Sequence, residues 1–94
     1  MSQQSNAPMR GGYEDVASLD EVDEQSHVRA VISQRRGHQK YTFALFKCFM
    51  RDGQEERTAF FEVERHLPLI VKILPKVQAK IVELETKAVS PGRR

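Results

Sequence analysis

The sequence predicts an α+β domain: an antiparallel β-meander of three or four strands followed by a C-terminal helix packed on one sheet face. Three observations carry this reading. Apolar residues alternate with period two from Val28 onward, Asp52-Gly53 separates two such runs, and after His66 the apolar period becomes that of a helix.

Residues 1–12 are Ser, Gln, Asn, Pro and Gly with little apolar content, too little to offset the entropy of ordering. Between Tyr13 and Gln25 the apolar Val16, Leu19 and Val22 sit at spacing three on an acidic background. Residues 1–25 are therefore expected to be a disordered acidic arm, residues 26–88 a βββα domain, and residues 89–94, with Pro91 and Gly92, a disordered tail.

In the first strand Val28, Ala30 and Ile32 alternate with Arg29, Val31, Ser33 and Arg35. The run Lys40 to Arg51 is apolar on both faces, Ala44, Phe46, Cys48 and Met50 on one and Tyr41, Phe43, Leu45 and Phe49 on the other. Such a strand belongs in the middle of a sheet. A third strand is read from Arg57 to Arg65. Asp52-Gly53 suits a two-residue type I′ hairpin, because both positions need positive φ. Closing the hairpin there pairs Arg51 with Gln54, Lys47 with Thr58, Phe46 with Ala59 and Ala44 with Phe61. If the Arg36-Gly37-His38 corner loops an odd number of residues, Val28, Ala30 and Ile32 join the Ala44 and Phe46 face.

The helix is read from Leu67, Ile70, Leu74, Val77, Ile81 and Leu84, which form one apolar seam. Pro68 fits a first turn, whereas Pro75 removes an interior hydrogen bond and is expected to kink or split the helix near Leu74. The seam is expected to pack on the Ala44, Phe46 and Phe61 face. That leaves Val31, Tyr41, Phe43, Leu45, Phe49 and Phe60 as an apolar face larger than a monomer usually exposes, which is expected to meet a second copy of the chain, to hold a ligand, or to do each with different parts; a homodimer is expected.

Charge is divided along the chain. Residues 1–25 hold one base against six acids, and residues 26–94 hold 14 bases against seven acids. Between His27 and Arg51 there are six bases and no acid. This asymmetry favours a polyanionic partner, and it makes the acidic arm an expected internal competitor for the basic face. Aromatics among bases suit single-stranded nucleic acid, since every base offers a π-face and every phosphate needs a cation. The expected nucleic-acid-binding residues are Arg29, Arg35, Arg36, Lys40, Tyr41, Phe43, Lys47 and Arg51.

Other classes find little support. Cys48 is the only cysteine and His27, His38 and His66 are scattered without zinc-type spacing, so no metal site and no cofactor are expected. No phosphate loop or nucleophile elbow is present, and no catalytic residues are expected. No stretch approaches a membrane span or the apolar core of a signal peptide, which points to a cytoplasmic protein without a membrane partner.

The run Tyr41 to Met50, the turn at Asp52-Gly53, the segment Phe60-Phe61-Glu62-Val63 and Leu67-Pro68 with its apolar helix resemble the ending of Pur-alpha and PC4-like single-stranded-nucleic-acid-binding proteins. The resemblance implies a curved antiparallel sheet that grips single strands and a dimer built through helix and sheet. Those proteins place four strands before the helix, against three convincing ones here. A dimerising protein-interaction or regulatory module without nucleic-acid binding is the alternative, and an enzyme accessory subunit is a third reading.

Overall fold

The computed structural model describes residues 12–89, the side chains of 88 and 89 excepted. Four strands, β1 (Tyr13–Val22), β2 (His27–Arg35), β3 (Tyr41–Arg51) and β4 (Gln54–Thr58), precede one helix, α1 (Val63–Val89). The strands form an antiparallel meander in the order β1-β2-β3-β4. Among the described residues no helix is long and apolar enough to cross a membrane.

Against expectation, Tyr13–Val22 is not a disordered arm but the edge strand, paired with β2 from Tyr13↔Arg35 to Val22↔His27. An edge position tolerates charge, and here the acids face bases. Asp20 meets His27 and Arg29, Glu14 meets Arg36, and Glu21 meets Lys76 on the helix. A register shift between Asp15 and Ala17 marks a bulge at Val16. It leaves Asp15 beside Ser33 on one face and brings Ala17 and Leu19 opposite Ile32 and Ala30 on the other. The Asp23 carboxylate accepts from the amides of Gln25 and Ser26 (2.9 and 2.8 Å), which builds the turn into β2. The expected disorder of residues 1–11 and 90–94 falls outside the described residues.

The β2–β3 loop differs in parity from the expected one. Gln34 pairs with Tyr41, so residues 35–40 intervene, an even number. Val28, Ala30 and Ile32 therefore share a face with Lys47, Leu45 and Phe43, and not with Ala44 and Phe46. The loop exceeds its Gly37 corner because Arg35, Gln39 and Lys40 also leave the ladder.

The β3–β4 hairpin closes as expected, with Asp52 and Gly53 both at positive φ (53° and 80°) and the pairs Arg51↔Gln54 and Lys47↔Thr58. Its second strand ends at Thr58, however, so the anticipated strand Arg57–Arg65 and the pairs Phe46–Ala59 and Ala44–Phe61 do not form. The chain turns instead into α1. The Glu62 amide donates to His66 Nδ1 (2.9 Å) while the His66 amide donates to the Glu62 carbonyl (2.8 Å), a reciprocal cap that starts the helix at Val63.

The helix runs unbroken through Pro75, against the expected split. Pro75 lies on its exposed side, where water can bond the carbonyl that loses its amide. The buried seam is also rotated from the expected one. Leu69, Ile73 and Val77 pack with Val28, Ala30 and Ile32 to form the core, flanked by Ala17, Leu19, Tyr41, Leu45, Phe61, Ile70, Ile81 and Leu84. Leu67 and Leu74 stay 47% and 39% exposed. The helix carries apolar side chains over more than half its circumference, so periodicity alone admits two overlapping seams.

Replacing fully buried Ile73 by Ala is expected to cost about 2–5 kcal/mol through lost burial and a cavity. Leu67→Ala, outside the seam that meets the sheet, is expected to cost clearly less than Ile73→Ala. Urea denaturation of the two variants checks which seam faces the sheet.

Candidate nucleic-acid interface

Helix α1 lies over β1 and β2, tied to the edge strand by the Lys76–Glu21 ion pair. Among the described residues no helix lies over the same side of β3 and β4. Alternation along β3 places Tyr41, Phe43, Leu45, Lys47, Phe49 and Arg51 on that side, since Phe43 and Lys47 lie opposite core residues Ile32 and Val28. Tyr41 and Leu45 lean on the core and are half-buried, whereas Phe43 is 49% exposed.

Towards the end of β3 the strip becomes cationic. The Lys47 ammonium and the Arg51 guanidinium stand 5.9 and 5.6 Å from the centre of the Phe49 ring. This spacing is that of a cation–π contact. Arg51 is also 3.4 Å from Glu56 of β4. Beyond Phe49 the sheet meets the start of α1 in a cleft of about 290 Å³ lined by Ser26, Lys47, Cys48, Phe49, Arg51, Arg65 and His66, with the acid Glu62 at its wall 3.7 Å from Arg65. The Ser26 hydroxyl there is buried and has no hydrogen-bond partner among the described residues.

Of the expected binding residues, Tyr41, Phe43, Lys47 and Arg51 are thus brought onto one side of one strand. Arg35, Arg36 and Lys40 lie exposed at the end of β2 and in the loop before Tyr41, with Arg36 3.8 Å from Glu14. Arg29 is set apart, on the opposite sheet face between Asp20 (2.8 Å) and Glu55 (3.1 Å). Val31 shares that opposite face and is buried, and Phe60, 81% exposed, lies in the connection to α1. Sequence reading treated Phe49 chiefly as an interface residue. The legible signal for its role was the Lys47, Phe49, Arg51 alternation; Ser26, Arg65 and His66 join it only through the fold.

Comparison with protein-family models, with curated proteins and with solved structures finds no match to this chain. The site is therefore read from its own chemistry.

The opposite face carries a denser network. Asp20 accepts from Arg29 Nε and lies 2.6 Å from His27 Nε2, Ser33 donates to Asp15 (2.8 Å), and the Arg57 guanidinium covers the Phe46 ring at 4.2 Å. Partial burial pushes the Asp20 carboxyl upward, but hydrogen bonds and charge from His27 and Arg29 outweigh it and hold the group below its ordinary 3.8. The hydrogen bond to Asp20 raises Arg29 in turn, despite desolvation. Burial pushes the Cys48 thiol up, opposed by the nearby Arg29 charge.

Because Asp20 has a lower pKa folded than unfolded, its contribution to stability is complete above the ordinary carboxylate range and is lost as pH falls through the folded value. Asp20→Asn is therefore expected to be less stable than the parent at pH 6 and indistinguishable from it near pH 2. Urea midpoints measured across that range in metal-free buffer check the sign.

Proposed function

We propose that this protein is a single-stranded nucleic-acid-binding module that acts as a homodimer in the cytoplasm. The observation that carries this reading is the uncovered side of β3, where Phe43 and Phe49 stand among Lys47 and Arg51 with Arg65 beyond. Unstacked bases have flat rings to lie against there, and the phosphates between them have cations within reach. A duplex keeps its bases stacked inside and offers such a strip only its backbone. The exposed Arg35, Arg36 and Lys40 extend the cationic path past Tyr41. Four strands before the helix, with β1 as the fourth, is also the element order that the Pur-alpha and PC4-like resemblance implies.

The homodimer is supported by the helix. Leu67 and Leu74 sit roughly opposite Lys76 around the axis, away from the β1 edge, at about 100° per residue. With Val71 and Val82, 62% and 55% exposed, they form an apolar stripe next to the core seam. A second copy presenting the same stripe would cover it symmetrically. This contact uses the outer flank of the helix and leaves the Lys47–Arg51 end of the strip for nucleic acid.

Fluorescence anisotropy with a labelled oligonucleotide tests the reading. With about four phosphates neutralised, log K is expected to fall against log salt with a slope near −3. Phe49→Ala is expected to weaken binding by roughly five- to a hundred-fold, the equivalent of about 1–3 kcal/mol of stacking, with that slope unchanged. A flat salt response, or equal affinity for blunt duplex, overturns it.

Light scattering tests the dimer. The parent chain is expected to be dimeric at tens of micromolar and Val71→Asp monomeric, since a carboxylate in an apolar contact is costly.

A further inference from the structure

On the sheet face away from α1, each of the four strands contributes one metal-ligating side chain to the same neighbourhood. Arg57 of β4 pairs with Cys48 of β3, and His27 lies one residue beyond the last β2–β3 pair, Val28↔Lys47, with Glu55 one alternation along β4 and Asp20 of β1 against His27. One donor atom each from His27, Cys48 and Glu55 lies within 4.8 Å of the other two. Cys48 is buried and the only cysteine, His27 is half-buried and Glu55 is exposed, so the group is open to solvent on the carboxylate side.

We propose that His27, Cys48 and Glu55 form a binding site for a zinc-type divalent cation. A thiolate, an imidazole and a carboxylate are the donor types zinc takes, at about 2.3 Å for sulfur and about 2.0 Å for nitrogen and oxygen. Donors around such an ion stand roughly 3.5 Å apart, so side-chain rotations that draw the three together by about an ångström complete the set. Three protein ligands leave a fourth position for water. Asp20 supplies the outer carboxylate that orients a ligating imidazole, which gives one ring nitrogen to the ion and the other to Asp20.

Arg29 is the group that argues against a cation here, since its guanidinium touches both Asp20 and Glu55. The charges resolve this. A Cys48 thiolate with the Asp20 and Glu55 carboxylates carries three negative charges, which a divalent ion and Arg29 together balance. Binding requires Arg29 to release Glu55 while keeping Asp20, and the Cys48 proton passes to solvent. The site lies on the opposite sheet face from the Lys47–Arg51 strip and stands independently of the nucleic-acid reading.

Titration of the full chain with cobalt(II), followed by zinc(II), tests the proposal. One equivalent of cobalt is expected to produce a thiolate-to-metal charge-transfer absorption, and zinc to abolish it by displacement. Cys48→Ser is expected to lose the absorption. Glu55→Gln, on the exposed rim, is expected to weaken zinc binding ten-fold or more with an unchanged circular dichroism spectrum. No thiolate absorption at a several-fold excess of cobalt overturns the site, as does zinc affinity equal in the parent and Glu55→Gln. If Cys48→Ser does not fold, the parent absorption and the Glu55→Gln comparison decide.

Discussion

One helix about 10 Å across cannot cover four strands spaced roughly 4.8 Å apart. The contact of Leu69, Ile73 and Val77 with Val28, Ala30 and Ile32 settles which two strands are covered, and the remaining surfaces follow from it. With α1 over β1 and β2, its side of β3 and β4 stays accessible. The apolar flank of the helix beyond the core seam stays accessible with it. Had the helix centred on β3, Phe43, Lys47 and Phe49 would lie beneath it and no basic, aromatic strip would exist.

The edge strand explains how so acidic a segment becomes part of the sheet. Ala17 and Leu19 supply the apolar contribution to the core, and the bulge at Val16 lets them reach that face while Asp15 remains on the other. The acids then meet bases of neighbouring elements, Asp20 with Arg29, Glu14 with Arg36 and Glu21 with Lys76. Pairing of exposed charges stabilises the strand only weakly in each case. Its larger effect is on the distribution of charge. The bases near β1 are partly neutralised by the chain itself, Arg36 of the β2–β3 loop among them, and near Phe49 Arg51 and Arg65 likewise face Glu56 and Glu62.

The two sheet faces consequently differ in kind. The face towards α1 joins an apolar core to an accessible aromatic and cationic margin. The face away from it holds a mixed-charge network centred on Arg29, with buried Cys48 among polar neighbours. Alternation along each strand keeps these two chemistries separate even though their residues are interleaved in the chain: Lys47 and Phe49 belong to one, and Cys48, between them, to the other.

The sequence by itself determined the meander and the helix, because these depend on local period: alternation in Val28–Arg35 and Tyr41–Arg51, a positive-φ hairpin at Asp52-Gly53, and a helical repeat after His66. It also placed Tyr41, Phe43, Lys47 and Arg51 on one side of one strand, since alternation needs no partner to be legible. The fold settled which side that was, because the parity of residues 35–40 depends on where the β2–β3 ladder ends. It likewise decided that Tyr13–Val22 is a strand, where pairing to β2 and the bases opposite overcome a local composition that disfavours it. The helix seam was ambiguous because the apolar arc is broader than one sheet contact needs, and the packing on β2 chose between the two. Asp20, His27, Cys48 and Glu55 had no sequence signature at all: one residue from each of four strands becomes a cluster only when the sheet closes.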